Sequence, residues 1–288
     1  MNIDNKNFML TVNLAIFKVA ETARTNVKKL PQKELTVLLT RRKREPYKGC
    51  WSFPYRFVGV DESLDDAVFR ELEEKTDSQD VYFEQLYTWG ATDRDPTARV
   101  IAASYIAIVR EEHLKPRFTE ENQEFQWFGV RKRLLSAEKL SDLNMRCKYR
   151  VTLCGRGGAP NILYDVFEET SAAGFEKRTK YGYEPCAETG ELMAYDHIKI
   201  LDCALDRIKN KVQYTNIAFG LLPELFTLSE LQQAHEVLLG RELTKPNFRR
   251  WISAKVEETP HTKKDGAHRP ARLYRLKKSS MLDGLLTE

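Results

Sequence analysis

Apolar and β-branched residues alternate with polar ones along Phe8–Val19 and again along Glu34–Thr40, which predicts two strands joined by the polar loop Glu21–Gln32. Trp51–Val60 reads as loop with short extended pieces. The period then changes: Leu64, Ala67, Val68 and Leu72 recur at helical spacing, so Glu62–Thr76 is predicted as a helix with one buried stripe. Asp61, Glu62, Asp65 and Asp66 suit the positive end of its dipole. Val81–Trp89, Arg99–Val109 and Phe125–Val130 return to strand patterning, with turn chemistry in Gly90–Pro96. Residues 138–190 show no clear period and read as an insertion, with small β excursions at Asn161–Glu169 and Phe175–Tyr183. Gly155–Pro160 lacks the strand-loop-helix context and Lys-Ser/Thr of a phosphate loop, so it reads as a surface turn.

Helical spacing resumes from Tyr195 to about Val212, with Ile198, Leu201, Leu205 and Ile208 on one face. Thr227-Leu228-Ser229-Glu230 is a capping box opening a helix that carries Leu228, Leu231, Val237 and Leu238 and ends at Gly240. Thr244 caps a second helix with Pro246 in its first turn. Phe248 and Ile252 point inward there, and Arg249, Arg250 and Lys255 point outward. Val256–Pro260 and Arg272–Lys277 flank Lys263-Lys264-Asp265-Gly266, a hairpin signal. Helix, turn, basic helix and basic hairpin together predict a winged helix-turn-helix.

Charge sharpens that picture. The 288 residues carry a net +4, but residues 241–280 alone hold twelve Lys/Arg against four Asp/Glu, a local +8. A basic C-terminal module on a mildly acidic body points to nucleic acid. Arg249 and Arg250, with Lys245, Asn247 and Lys255 beside them, are the candidate DNA contacts on the second helix; a solvated basic face is the plain alternative. Lys263, Lys264, His268, Arg269 and Arg272 extend the basic surface along the hairpin. No run of eighteen apolar residues predicts a membrane span, and the N-terminus lacks a signal-peptide pattern. The five cysteines form no C-x-x-C pair, so reduced cytoplasmic thiols are expected rather than zinc or disulfides. His197 and His235 stand alone and read as structural or exposed.

The densest chemistry lies in Arg70-Glu71-Leu72-Glu73-Glu74-Lys75. Positions 71, 74 and 75 share one helix face, where three carboxylates would hold a hard cation such as Mg²⁺ against a pyrophosphate. Lys75 puts an ammonium at the third position, which repels a metal instead of ligating it. A surface Glu71–Lys75 pair is the ordinary structural explanation of the same residues.

Arg41–Val109 resembles the Nudix hydrolase domain, whose box runs G-x5-E-x7-R-E-U-x-E-E-x-G-U with U aliphatic. Aligned on Arg70-Glu71-Leu72, Glu62 and Glu74 fall on glutamates. Arg56, Lys75, Asp77 and Ser78 replace the opening glycine, a glutamate, the late glycine and the last aliphatic, and Tyr55 stands where a second glycine is usual. Tyr87–Gly90, Asp93–Pro96, Phe226–Leu231, Asn247–Arg250 and His268–Tyr274 are similar to the Nudix-related transcriptional regulators of the NrtR type. That resemblance implies an α+β chain: a Nudix α/β/α sandwich with an insertion, followed by a winged helix-turn-helix. It divides the chain into a nucleotide-sensing domain at 1–190 (insertion about 138–190), a connecting helix at 191–213 and a winged helix at 214–280. It implies a cytoplasmic homodimer on a palindromic double-stranded operator, with ADP-ribose or a related nucleotide as effector and no required cofactor. No catalytic residue and no metal are expected, Glu71, Glu74 and Lys75 being vestigial. Arg41, Trp51, Arg56, Glu71, Glu74, Lys75, Asp93 and Arg94 are the candidate ligand contacts, with packing the preferred reading of Trp51 and a solvated turn the alternative for Arg41 and Asp93. The competing reading is an active Mg²⁺-dependent hydrolase of ADP-ribose or another nucleoside diphosphate derivative.

Overall fold

The computed structural model describes residues 8–22, 32–76, 81–114, 124–156, 160–173, 175–264 and 270–281. Most of the loop expected at Glu21–Gln32, the tip of the C-terminal hairpin with His268 and Arg269, and the side chain of Lys75 lie outside the described residues.

β1 (Met9–Glu21) is the spine of the molecule, because its residues are buried on both faces from Thr11 to Ala20. It pairs antiparallel with β2 (Lys33–Arg41) and with the short β4 (Tyr55–Phe57), and parallel with β6 (Val100–Ile108). β3 (Trp51–Ser52) adds to β2, and β5 (Tyr82–Trp89) closes the sheet beyond β6. Even-numbered residues of β1 (Val12, Leu14, Ile16) pack with Ala67, Val68 and Leu72 of α1 (Leu64–Lys75). Odd-numbered ones (Ala15, Phe17, Val19) pack with Ile198, Ile200, Leu201 and Ala204 of α2 (His197–Lys211). The sheet is thus sandwiched between two helices, each supplying its one apolar stripe.

Two expectations change here. The sheet does not stop near residue 130: β7 (Glu124–Ser141), β8 (Asn144–Cys154), β9 (Ile162–Ala173) and β10 (Glu176–Pro185) continue it as an antiparallel meander. The far half of β7 and most of β10 are exposed, so no buried face imposes the two-residue alternation that marks a strand. The sensor also extends past the expected bound at residue 190, because the helix at 191–213 docks against it as its one-sided stripe implies. Ile198, Ile200, Leu201, Ala204 and Ile208 are buried in the sensor core, which carries that domain well past residue 190.

α3 (Leu228–Leu239) begins with the expected reciprocal cap between Thr227 and Glu230 and ends on Gly240 at φ 66°, a left-handed position that glycine adopts without a Cβ penalty. α4 (Lys245–Ile252) follows, then the hairpin of β11 (Val256–Lys263) and β12 (Ala271–Leu276). Phe226, Leu231, Ala234, Phe248, Ile252 and Val256 form this module's own core. Leu238 and Leu239 instead reach the sensor core beside α2, so α3 is shared between the two bodies. All five cysteines are free thiols. Among the described residues no helix is long and apolar enough to cross a membrane, which leaves membrane-spanning strands unaddressed.

Candidate functional site

The register of β4 sets the chemistry of the sensor. Arg56 lies opposite Val12, which faces α1, and Tyr55 lies opposite Asn13, which faces α2. On the α1 side the Arg56 guanidinium bonds Glu71 through Nη2 at 3.0 Å and Nε at 3.1 Å, and Nη2 also bonds Glu74. Glu71 is only 5% exposed, and the guanidinium offsets the burial of its carboxylate. Burial alone would lower the Arg56 pKa, but the attraction of Glu71 and Glu74 outweighs it and holds the guanidinium above its ordinary value. A turn earlier, Glu62 accepts from Arg70 at 2.8 Å and from the Gly59 amide at 2.9 Å, which fixes the entry to α1. Ser63 and Asp66 form a reciprocal cap there that the sequence pattern did not single out.

The Nudix fold implies Mg²⁺ held by carboxylates on this helix, and the residues present do not fit it. Two of the three ligand positions are bound to an internal guanidinium, and the third is a lysine by sequence. A metal would have to displace Arg56 and accept a neighbouring ammonium. Arg56, a candidate ligand contact by sequence, is thus already paired with both carboxylates.

On the other side of β4, Tyr55, Phe57, Arg94, Asp95 and Tyr195 line a cavity of about 170 Å³ with Asn13 and His197 at its floor. Arg94 is buried and makes a bidentate pair with Asp196, Nε at 3.1 Å and Nη2 at 2.7 Å. Asp196 is the N-cap residue of α2, but its carboxylate holds Arg94 instead of a helix amide. The loop at 90–97 is thereby tied to the start of α2. Asp93 is exposed on that loop. His197 accepts from the Phe53 amide at 3.0 Å and stays neutral, its pKa pushed down to about 3 by burial.

Arg41 and Trp51 belong to a different network. Arg41 binds Glu191 at 2.7 Å and the Gly49 carbonyl at 3.2 Å, and the Trp51 indole N–H donates to the other oxygen of Glu191. Trp51 is 1% exposed and packs edge-on against Phe128, so it is a core residue and no stacking platform. Both side chains pin the loop before β3 to the segment before α2, a structural task.

In the C-terminal module, Lys245, Asn247, Arg249 and Arg250 stand exposed on α4. Phe248 and Ile252 anchor the opposite face. Lys245 and Arg249 have no ion-pair partner among the described residues, and Arg250 reaches only Asn247 at 3.4 Å. The wing is more heavily neutralised than its composition suggests. Arg272 pairs with Glu258, Arg275 with Glu257, and Lys263 with Glu230 at 2.7 Å. Lys255 is half-buried, with Nζ 3.2 Å from Asn216 and above the Trp251 ring, so it does not point outward as expected. His235 is buried among Phe219, Phe248 and Trp251 and remains neutral, its pKa lowered to about 4 by burial.

The residues missed by sequence reasoning are mostly partners contributed by distant segments: Glu191, Asp196, Tyr55 and Tyr195. Only Asp196 carried a local signal, an acidic residue directly before a helical period. A larger omission is Lys132 on β7, which binds Asp202 at 2.7 Å and Asp206 at 3.0 Å on α2, and Glu168 at 3.0 Å on β9. It borders a crevice of about 800 Å³ whose far wall is Glu236–Gly240 at the end of α3.

Comparison with known proteins accords with this geometry. A family model described as NUDIX domain matches residues 24–145, and one described as NrtR DNA-binding winged helix domain matches residues 218–276. The chain thus joins a Nudix domain to a winged helix of the NrtR type. It is 28% identical over 271 residues, 93% of this chain and 81% of the relative, to the ADPR responsive transcriptional repressor NtrR of Acinetobacter baylyi. It is 34% identical over 94 residues to the ADP-ribose pyrophosphatase of Methanocaldococcus jannaschii, covering 33% of this chain and 56% of that one. The crystal structure of Shewanella oneidensis NrtR with a 27mer DNA superposes with a TM-score of 0.58 at 25% identity, covering 94% of each chain. A MutT/nudix family protein from Enterococcus faecalis superposes with a TM-score of 0.62 at 23% identity over 96% of this chain and 89% of its own, a likeness of fold.

Proposed function

We propose that this chain is a cytoplasmic transcriptional regulator. As a homodimer it binds a roughly palindromic operator through α4, and ADP-ribose or a related nucleotide releases it. The observation that carries the DNA reading is the exposed set Lys245, Asn247 and Arg249, anchored from behind by Phe248 and Ile252, with no ion-pair partner for Lys245 or Arg249 among the described residues. A helix so placed can enter the major groove, with arginine able to bond guanine bidentately. The relative from Acinetobacter, named an ADPR responsive transcriptional repressor, supports the nucleotide as effector.

The route between the sites is continuous. A nucleotide entering beside Tyr55 and Tyr195 meets the loop that Arg94 fastens to Asp196, and α2 in turn packs on α3. A small shift of α2 would change the separation of two α4 helices in a dimer, and the operator's fixed half-site spacing would register it. The hydrolase reading loses ground because Arg56 holds the carboxylates that would ligate Mg²⁺. The test is selection from a random duplex pool with purified protein. Enrichment of an inverted repeat is expected, and no enriched sequence would refute the regulator reading.

A further inference from the structure

We propose that Arg56 is a built-in replacement for the divalent cation, occupying the carboxylate face of α1 so that the sensor works without metal. The inference rests on the Nudix reading of that helix but needs no assumption about the effector. Glu71 and Glu74 lie on adjacent turns of one helix face, and Glu71 is nearly inaccessible. A buried carboxylate with an exposed one beside it favours a cation between them. Free divalent metal would supply it reversibly. Here a side chain from β4 supplies it permanently, with its own strand paired into β1 at Val12.

Geometry makes the replacement exclusive. One Nη2 reaches both carboxylates and Nε adds a second bond to Glu71, so the guanidinium fills the space between the oxygens that a bound cation would need. Arg56 stands where the Nudix pattern has a glycine, which has no side chain to enter this space. The substitution of a glutamate by Lys75 removes a ligand, whereas Arg56 takes the place of the ion itself. The two changes act on different parts of one site and can be separated.

The experiment measures Mn²⁺ binding by electron paramagnetic resonance of the full chain in four forms: wild type, Arg56→Ala, Lys75→Glu, and Arg56→Ala/Lys75→Glu. Arg56→Gln, which keeps a polar side chain of similar reach, is measured beside Arg56→Ala in case the alanine form is poorly folded. Wild type and Lys75→Glu are expected to bind weakly, because Arg56 still blocks the site. Removing the arginine should tighten Mn²⁺ binding at least tenfold, most clearly in the Lys75→Glu background, and adding Glu71→Ala should abolish the gain. Equal affinity of Lys75→Glu and the double variant would overturn the proposal, as would wild-type binding as tight as that of the double variant. ADP-ribose is absent from every arm, so failure of the sensor reading cannot imitate either result.

Discussion

Replacing Lys132 with methionine keeps the length and apolar stem of the side chain but strands three carboxylates around a buried position. Asp202 is 2% exposed, Glu168 is 19% exposed and Asp206 is 41% exposed, so Asp202 carries most of the consequence. Burial already raises its pKa, against the attraction of Lys132 and with Asp206 adding to the rise. Without the lysine, folding would force Asp202 to take up a proton. Protonating a carboxyl of ordinary pKa ~3.9 costs ~4 kcal/mol at pH 7 and ~1.5 kcal/mol at pH 5, which caps the electrostatic loss at each pH. The lost contact of Nζ with the Tyr149 ring, 4.7 Å away, adds ~0.5–2 kcal/mol at either pH. The sign follows from linkage: the folded-state pKa of Asp202 lies above its unfolded value, so the native state binds more protons and the variant loses stability as pH rises. Urea unfolding in a Trp251→Phe background, where Trp51, Trp89 and Trp127 report on the sensor alone, measures the loss at both pH values. It should be greater at pH 7 by up to ~2.5 kcal/mol, and Asp202→Asn should recover most of it. Equal losses at the two pH values, or no recovery, would refute the reasoning.

The winged helix should also lose stability toward acid. His235 has its pKa depressed to about 4 while its unfolded form titrates near ~6.5, so stability is full above ~6.5 and falls by ~3 kcal/mol on the way to pH 4. Urea titrations of His235→Leu followed by Trp251 fluorescence should show a flatter pH profile, and an unchanged slope would count against it. On a selected operator, Arg249→Ala should cost ~1–3 kcal/mol if it reads a base edge, whereas Arg272→Ala, already paired with Glu258, should mainly alter the salt slope. Equal effects in filter-binding titrations would contradict that division. ADP-ribose with Mg²⁺ should be cleaved far below the ~1–10 s⁻¹ of ordinary enzymes, and phosphate-bond cleavage at such rates would return the chain to the hydrolases.

What the sequence revealed depended on whether the signal was local. The cap of Thr227 by Glu230, the Gly240 stop and the inward Phe248 and Ile252 are set within a turn or two of helix, and each appears in the structure as the pattern requires. The stripe Ile198, Leu201 and Ile208 likewise lies buried, docked against the sensor sheet as its one-sidedness implies. Of the meander, the β excursions expected at Asn161–Glu169 and Phe175–Tyr183 fall on β9 and β10, whereas the far half of β7 was hard to see because a long exposed strand carries no alternation. Site pairing was the least legible part. Arg41, Arg56 and Arg94 as candidate ligand contacts, and Arg272 as a candidate DNA contact, each pair with an acid from elsewhere in the chain, at Glu191, Glu71, Asp196 and Glu258. Whether a basic side chain is free depends on tertiary pairing, which spacing along the sequence does not encode.

The central claim is that sensor and winged helix are coupled through α2. Calorimetry of ADP-ribose binding with and without saturating operator tests it directly, because coupling between two binding sites is reciprocal. Operator is expected to weaken ADP-ribose binding by ~1–3 kcal/mol, a factor of roughly 5–150, matched by the loss of operator affinity when ADP-ribose is present. Identical ADP-ribose affinities with and without operator would contradict it.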